Sequence, residues 1–246
     1  MGSIGEIKAP PVLDFSAFYA DDPVARKRLV DDVRDCCLRN GFFQITGHQI
    51  PVELQDQIFR HSQEFFSQSV EEKDKLSMKL NAWNRGYDAI QSQILEEGTS
   101  PDMKESFYIG DDIPKSHPYF QQKKLNSGPN VWPQTISDPE AFKKDTMKYY
   151  GSCYQLAKDT LCVIAMTLDL PQSFFDDYSK DAVATMRLLH YPPSPPDAEE
   201  TLTRGVGAHT DFGGITLLLQ GDVGGLQVLE NNTGEWLDVS TPTVCP

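Results

Sequence analysis

The sequence predicts an α+β protein in which helices back an antiparallel β barrel or sandwich. Three observations favour this fold class. Apolar residues recur at helical spacing through long segments of the first two thirds of the chain, and short β-like segments dominate from Val183 onward. The third observation is size: 246 residues with 39% hydrophobic and 10% aromatic residues can form a sizeable globular core.

The first fifty residues predict a strand, a helix and a second strand. Residues 11–15 alternate apolar and polar side chains and begin with Pro, which is typical of an edge strand. Asp22 as the capping residue and Pro23 at the first helical position predict a helix that Gly41 ends. Residues 42–45 then predict a buried strand.

The middle of the chain predicts three more helices and a long loop. Pro51 opens the first of them, and its apolar face consists of Leu54, Ile58, Phe59, Phe65 and Phe66. Residues 84–132 are rich in Gly, Pro and Ser and predict a long loop laid over a site. A long helix then runs from Asp138 to about Leu168, and a short helix covers residues 172–178.

The last third of the chain predicts short antiparallel strands. Residues 183–191 form a candidate strand, which Pro192 and Pro193 end. Further candidate strands cover residues 215–220, 226–229 and 236–239, and residues 231–234 supply a hairpin turn.

Charge and composition exclude several classes of function. The net charge of −14 repels phosphate backbones and anionic membranes. No apolar run approaches the ~20 residues of a membrane span, and the first residues lack the features of a signal peptide. The five Cys match no zinc or redox spacing. We therefore expect no nucleic-acid partner, no membrane association and a cytoplasmic location.

The tripeptide His209-Thr210-Asp211 is the candidate metal site. In an extended segment, residues two apart point to the same side, so the His209 imidazole and the Asp211 carboxylate converge. One nitrogen and one hard oxygen are two thirds of the facial triad that holds non-haem Fe(II). This loop would lead into the strand at 215–220, at the mouth of the barrel. The alternative is a hydrogen-bonded pair within a loop.

Five motifs, in this order, carry a family resemblance. They lie at residues 11–15, 41–48 (Gly-Phe-Phe-Gln-Ile-Thr-Gly-His), 84–87 (Asn-Arg-Gly-Tyr), 187–193 (Arg-Leu-Leu-His-Tyr-Pro-Pro) and 209–211. With them the chain resembles the plant- and fungal-type Fe(II)/2-oxoglutarate-dependent oxygenases, the group similar to isopenicillin N synthase. The resemblance implies a double-stranded β-helix (jelly-roll) core backed by helices. It also implies an N-terminal module at residues 1–120, with a scaffold helix and the first part of the core at residues 121–246.

The resemblance also implies the site residues and the reaction. His209 and Asp211 would be iron ligands, and Tyr191 would contact the carboxylate of 2-oxoglutarate, the cosubstrate. His190 has the opposite strand parity and is interpreted as structural. With O2, 2-oxoglutarate would be converted to succinate while a small organic metabolite is hydroxylated, desaturated or cyclised, as in fungal specialised metabolism. Arg85 and Lys104 would either hold an anionic substrate or be solvated or locally paired charges.

One departure from the family pattern concerns the third ligand. The resemblance implies a distal His and an Arg-x-Ser several strands beyond His209-x-Asp211, and neither follows in these 246 residues. We therefore expect an incomplete, truncated chain that turns over no substrate alone and exposes a barrel edge that a second chain could cover. The alternative is a non-catalytic relative that acts as a binding or partner subunit. A generic metal-dependent hydrolase lacks the necessary ligands and base.

Overall fold

Helices and short strands alternate along the chain in the computed structural model, which describes residues 9–96, 98–193 and 204–240. The helices are α1 (Ser16–Tyr19), α2 (Pro23–Arg39), α3 (Val52–Phe66), α4 (Val70–Asp74), α5 (Pro118–Gln121), α6 (Pro139–Thr167) and α7 (Asp176–Ser179). The strands are β1 (Val12–Asp14), β2 (Gln44–Thr46), β3 (Gly86–Asp88), β4 (Glu105–Gly110), β5 (Thr185–His190), β6 (Gln227–Leu229) and β7 (Trp236–Asp238). Within the described ranges, no helix is both long and apolar enough to cross a membrane.

The chain divides into two units. The first takes its described residues from Met1–Ile50, Gln155–Lys180 and Leu217–Pro246, and the second takes them from Pro51–Tyr154 and Asp181–Thr216. Both units draw on both halves of the sequence. The predicted division at residue 120 stays a prediction.

The first unit contains two separate strand pairs. β1 and β2 pair in parallel, with Leu13 opposite Ile45, and β6 and β7 form an antiparallel hairpin. Helix α2 begins as predicted, because the Asp22 side chain accepts hydrogen bonds from the backbone N–H groups of Val24 and Ala25. The helix ends at Arg39, and Gly41 follows it with a positive φ of 78° and donates its N–H to the Cys36 carbonyl.

The second unit is built on an antiparallel sheet of order β3-β4-β5. One face of this sheet carries Phe107 and Leu188, which lie opposite each other and are buried. Buried side chains of α3 and α6 complete this core, among them Phe65 and Phe142. The other face of the sheet carries the polar side chains of Ser106, Tyr108 and Arg187.

The prediction for residues 84–132 was wrong in part. This segment contains β3 and β4, two of the three strands of the sheet in the second unit. The sequence of β4 does not alternate between apolar and polar residues, because nearly all of its residues are buried, on both faces of the sheet. Its first residue is a buried carboxylate, Glu105.

The predicted strand at residues 215–220 was also wrong. The segment has no secondary structure, and its residues form no backbone–backbone hydrogen bond within the described chain. Leu218 and Leu219 are exposed rather than buried. An apolar run becomes a strand only when another strand pairs with it, and sequence alone does not show that pairing. The strand predicted as buried at residues 42–45 lies instead at Gln44–Thr46, is half-buried, and leaves Phe42 exposed.

Candidate functional site

His209 and Asp211 converge as their spacing predicts. Nε2 of His209 lies 3.3 Å from Oδ1 of Asp211, and both side chains are partly exposed. Thr210 lies between them in a segment without helix or strand. The two donor atoms are therefore close enough to contact one ion.

A hydrogen bond fixes the tautomer of His209. Its Nδ1 lies 2.8 Å from the backbone carbonyl oxygen of Gly207. Because a carbonyl only accepts, Nδ1 must carry the proton, and Nε2 of a neutral imidazole then presents a lone pair towards Asp211. A lone pair facing a carboxylate favours a cation between them. Histidine ligands of metals commonly donate their second ring N–H to a backbone carbonyl in this way. The donor set therefore fits two positions of an Fe(II) site.

Tyr191 follows β5 on the same side as Leu189 and Arg187. In the β4–β5 register, Leu189 lies opposite Ser106 and Arg187 lies opposite Tyr108. These side chains share the polar face of the sheet, whereas Leu188 and His190 lie on the other face. The sequence prediction that His190 and Tyr191 face opposite sides is in agreement with this register.

The Tyr191 ring packs on Gly205, since a Cβ atom built on that glycine would lie 3.0 Å from Cδ1 of the ring. Burial raises the pKa of Tyr191, the positive charge of Arg187 opposes this shift, and the negative charge of Asp102 adds to it. The phenol therefore stays protonated at neutral pH and acts as a hydrogen-bond donor.

Arg187 begins the motif at residues 187–193, and it is a candidate site residue for which the sequence predicted no role. Among the residues that the structure describes, its guanidinium makes only long contacts, 3.3 Å from Nη2 to the Ser106 hydroxyl and 3.5 Å to the Gln93 side chain, and it lies 4.7 Å from the centre of the Tyr108 ring. Its Nε is buried without a hydrogen-bond partner in the described structure. Its strand parity with Tyr191 is the sequence signal that could have indicated it.

Lys104 and Arg85 are both locally paired, which favours the second interpretation offered for these charges. The buried Lys104 ammonium lies 2.6 Å from the buried Asp102 carboxylate. Arg85 is 1% exposed and donates to the backbone carbonyls of Trp83, Asn84 and Asn126. Neither side chain is free to hold a substrate.

A second buried carboxylate, Glu105, organises the other face of the sheet. It accepts hydrogen bonds from Nζ of Lys73 at 2.7 Å, from the Tyr87 hydroxyl at 2.6 Å and from Nδ1 of His190 at 2.7 Å. The His190 ring also stacks on Phe66. His190 is half-exposed, but its contacts are with the buried residues Glu105 and Phe66 on this face rather than with the metal loop. Among the residues that the structure describes, no group of three or more His, Cys, Asp or Glu side chains is arranged to hold a metal ion.

Comparisons with protein families match both parts of the chain. The family model for the N-terminal part of the non-haem dioxygenases in morphine synthesis matches residues 10–135. The model for the 2OG-Fe(II) oxygenase superfamily matches residues 182–245, which include Tyr191, His209 and Asp211.

Curated fungal proteins are similar over most of the chain. The 2-oxoglutarate-Fe(II) type oxidoreductase hxnY of Emericella nidulans is 54% identical over 231 residues, which cover 94% of this chain and 66% of the relative. A 2-oxoglutarate-Fe(II) type oxidoreductase of Aspergillus fumigatus is 52% identical, with 94% of this chain and 68% of the relative covered. The chain thus spans about two thirds of the length of these relatives.

Among solved structures, a 2OG-Fe(II) oxygenase family protein from Caulobacter crescentus is similar with a TM-score of 0.78 and 31% identity. The match covers 96% of this chain and 72% of the bacterial chain. A full-length Neurospora crassa protein in complex with alpha-KG is similar with a TM-score of 0.81 and 26% identity, over 99% of this chain and 72% of the other. These likenesses confirm the predicted fold class, α+β with a double-stranded β-helix core.

Proposed function

The chain belongs to the 2OG-Fe(II) oxygenase superfamily, and from this premise we propose that its protein uses Fe(II), O2 and 2-oxoglutarate to oxidise a small organic metabolite. The similar curated proteins are fungal and are named as oxidoreductases and dioxygenases, which favours specialised metabolism as the setting. They give no support to the alternative of a non-catalytic partner subunit. Hydroxylation, desaturation and ring closure all fit this class of reaction.

The observation that carries the proposal is the arrangement of His209 and Asp211. The Nδ1–H bond to Gly207 leaves Nε2 as a lone-pair donor 3.3 Å from an Asp211 oxygen. A borderline nitrogen and a hard oxygen suit Fe(II), and their placement on one short loop leaves the remaining coordination positions to other groups. We assign both residues as iron ligands.

Tyr191 and Arg187 would bind the organic carboxylates. The protonated Tyr191 phenol donates a hydrogen bond to a carboxylate of 2-oxoglutarate. Because the acceptor is charged, this hydrogen bond is stronger than one between neutral groups. Arg187, on the same face, contacts the side chains of Gln93 and Ser106 but no carboxylate within the described structure, and it offers a planar cation to a carboxylate or another acceptor. A polar or acidic metabolite therefore fits this face better than a hydrocarbon does.

With Fe(II) bound, the metal would supply O2 activation coupled to the conversion of 2-oxoglutarate to succinate and CO2. The contribution of this chain is to hold and orient. The hydrogen bond to Gly207 fixes the His209 ring, and the Tyr191 hydroxyl orients the cosubstrate relative to it.

Metal titration tests the assignment of ligands. We would titrate the 246-residue protein with Mn(II), an oxygen-stable substitute for Fe(II), and compare it with the His209→Ala and Asp211→Asn variants. Each variant should bind Mn(II) at least about tenfold more weakly, because His209→Ala removes the nitrogen donor and Asp211→Asn replaces an anionic oxygen donor by a neutral one. His117→Asn is the matched control: His117 caps α5 with its side chain, and Asn preserves that cap. Equal affinity in the wild type and in His209→Ala would show that the metal binds elsewhere.

The reaction class is tested by products. Succinate formation from 2-oxoglutarate, coupled one to one with oxidation of an added metabolite, would support the proposal. Consumption of the metabolite without succinate formation would contradict it. Candidate metabolites should include carboxylates and their esters, because the ester control removes the charge that Arg187 would bind.

A further inference from the structure

Two carboxylates from the segment before β4 contact the backbone directly in front of His209. Oδ1 of Asp102 accepts a hydrogen bond from the Gly207 N–H at 3.0 Å, and Oε2 of Glu96 accepts one from the Ala208 N–H at 3.0 Å. We propose that Glu96 and Asp102 are positioning residues for His209 and act through the peptide groups on either side of Gly207. This inference rests on the proposed role of His209 as an iron ligand.

Glu96 acts on the peptide group whose carbonyl orients the imidazole. The N–H of Ala208 and the C=O of Gly207 belong to one planar peptide unit. Glu96 binds its N–H, and Nδ1 of His209 donates to its C=O at 2.8 Å. Hydrogen bonds in such a series polarise one another, so the Glu96 carboxylate strengthens the acceptor that fixes the ring. The result is a relay from a carboxylate through a peptide to the histidine.

Asp102 holds the preceding peptide unit from a buried position. Its side chain is 1% exposed, and its second oxygen lies 2.6 Å from Nζ of Lys104. The Met103 N–H also donates to the Arg204 carbonyl at 2.9 Å, so the two chain segments are joined at more than one point. Asp102 therefore anchors the start of the loop to the segment that leads into β4.

Each carboxylate has its own cation. Lys104 pairs with Asp102, and Nη1 of Arg204 lies 3.4 Å from the Glu96 carboxylate. The close approach also requires Gly207, because a Cβ atom there would lie 2.6 Å from Cβ of Glu96 and 2.9 Å from its backbone nitrogen. Lys104 therefore has a role other than substrate binding: its charge balances that of the buried Asp102 carboxylate.

The relay makes Glu96 distinguishable from a residue that only stabilises the fold. Removing its carboxylate should weaken the Gly207 acceptor and loosen the His209 ring without unfolding the protein, because Glu96 lies at a partly exposed position. The measurable consequences are a change in the tautomer of His209 and a loss of metal affinity.

The first measurement uses the metal-free protein. Nitrogen-15 NMR of the His209 ring at about pH 8.5, where an ordinary imidazole is neutral, should show mainly the Nδ1–H tautomer in the wild type. In Glu96→Ala the two tautomers should become mixed, and Glu96→Gln should restore most of the wild-type ratio, since its amide oxygen can still accept from Ala208. Glu72→Gln, which removes a partly exposed carboxylate paired with Lys75, is the matched control and should leave the tautomer ratio of His209 unchanged.

The second measurement is Mn(II) titration of the same proteins. Glu96→Ala should bind Mn(II) about tenfold more weakly than the wild type, and Asp102→Asn should lose affinity in the same direction, as removal of outer-shell partners of metal ligands typically does. Thermal unfolding identifies any variant that has lost its fold. If Glu96→Ala has lost it, the His209 tautomer ratio and the Mn(II) affinity are compared between Glu96→Gln and the wild type instead. An unchanged His209 tautomer in Glu96→Ala, or unchanged Mn(II) affinity in both variants, would overturn the proposal. If the wild type and His209→Ala bind Mn(II) equally, the proposed metal site is wrong, and the tautomer ratio alone then decides whether Glu96 positions the ring.

Discussion

Glu105 and His190 lie directly opposite each other on β4 and β5, and Oε1 of Glu105 is 2.7 Å from Nδ1 of His190. This contact fixes His190, the last residue of β5, which immediately precedes Tyr191. The second oxygen of Glu105 accepts from both Lys73 and Tyr87, so one carboxylate that is 2% exposed joins α4, β3 and β5. The placement of Tyr191 thus depends on a buried ionic cluster on the opposite face of the sheet.

Glu105→Gln should destabilise the protein strongly. The substitution keeps the shape of the side chain but leaves the buried Lys73 ammonium without its counter-charge, and breaking a buried pair in this way typically costs about 3–5 kcal/mol. Urea unfolding would measure the change in the free energy of unfolding. The matched control is Asp31→Asn, which breaks the exposed Lys27–Asp31 pair and should change stability by less than about 0.5 kcal/mol. Similar losses in the two variants would contradict the structural role given to Glu105.

Acidification should remove part of the same contribution. Burial raises the pKa of Glu105, but hydrogen bonds from Lys73, Tyr87 and His190 outweigh burial and hold the pKa below its ordinary value of 4.5. A carboxyl group whose pKa is lowered on folding stabilises the folded state fully above its unfolded pKa. That stabilisation is lost as the pH falls through the folded value. The difference in unfolding free energy between the wild type and Glu105→Gln should therefore shrink below about pH 4.5, and a constant difference down to about pH 3 would contradict the assignment.

Local signals predicted the elements that local contacts determine. Helix α2 follows from Asp22, Pro23 and Gly41, all of which act within one turn of the helix ends. The hairpin turn between β6 and β7 was likewise predictable, because Gly234 supplies the positive φ of 74° that the turn needs. In these cases the sequence signal and the structural cause lie within a few residues of each other.

The missed features depend on partners far away in the chain. The run at residues 215–220 has the composition of a strand but no ladder partner in the described structure, and β4 pairs with β5 about eighty residues later. The convergence of His209 and Asp211 was predictable because it needs only alternation over three residues. The contacts from Asp102 and Glu96 join residues 105 and 112 positions apart, so no spacing pattern indicated them.

Gly151→Ala should stabilise the protein. Gly151 lies inside α6, and a Cβ atom added there meets no atom within 4 Å. Alanine in a helix interior is more favourable than glycine by about 0.5–1 kcal/mol, so the melting temperature should rise by a few degrees. The contrasting variant is Gly86→Ala: Gly86 has a φ of 103°, and its new Cβ atom would overlap the Leu76 carbonyl oxygen. It should lower the melting temperature, and an equal effect of both substitutions would contradict the geometry.

Tyr191→Phe should weaken the binding of 2-oxoglutarate without unfolding the protein. The substitution removes only a hydroxyl group from a ring whose side chain is partly exposed, so the packing on Gly205 is preserved. One hydrogen bond to a charged acceptor contributes about 1.5–3 kcal/mol, and the dissociation constant should therefore rise by about tenfold or more. Because the pKa of Tyr191 is raised, the phenol donates throughout the neutral range, and the loss of affinity should be the same at about pH 6.5 and about pH 8.5.

Calorimetric titration of the Mn(II)-loaded protein with 2-oxoglutarate would measure the change in affinity. The control is Tyr178→Phe, which alters an exposed tyrosine of α7. Unchanged affinity in Tyr191→Phe would mean that another residue holds the cosubstrate carboxylate, and Arg187, on the same face of the sheet, would be the next residue to substitute.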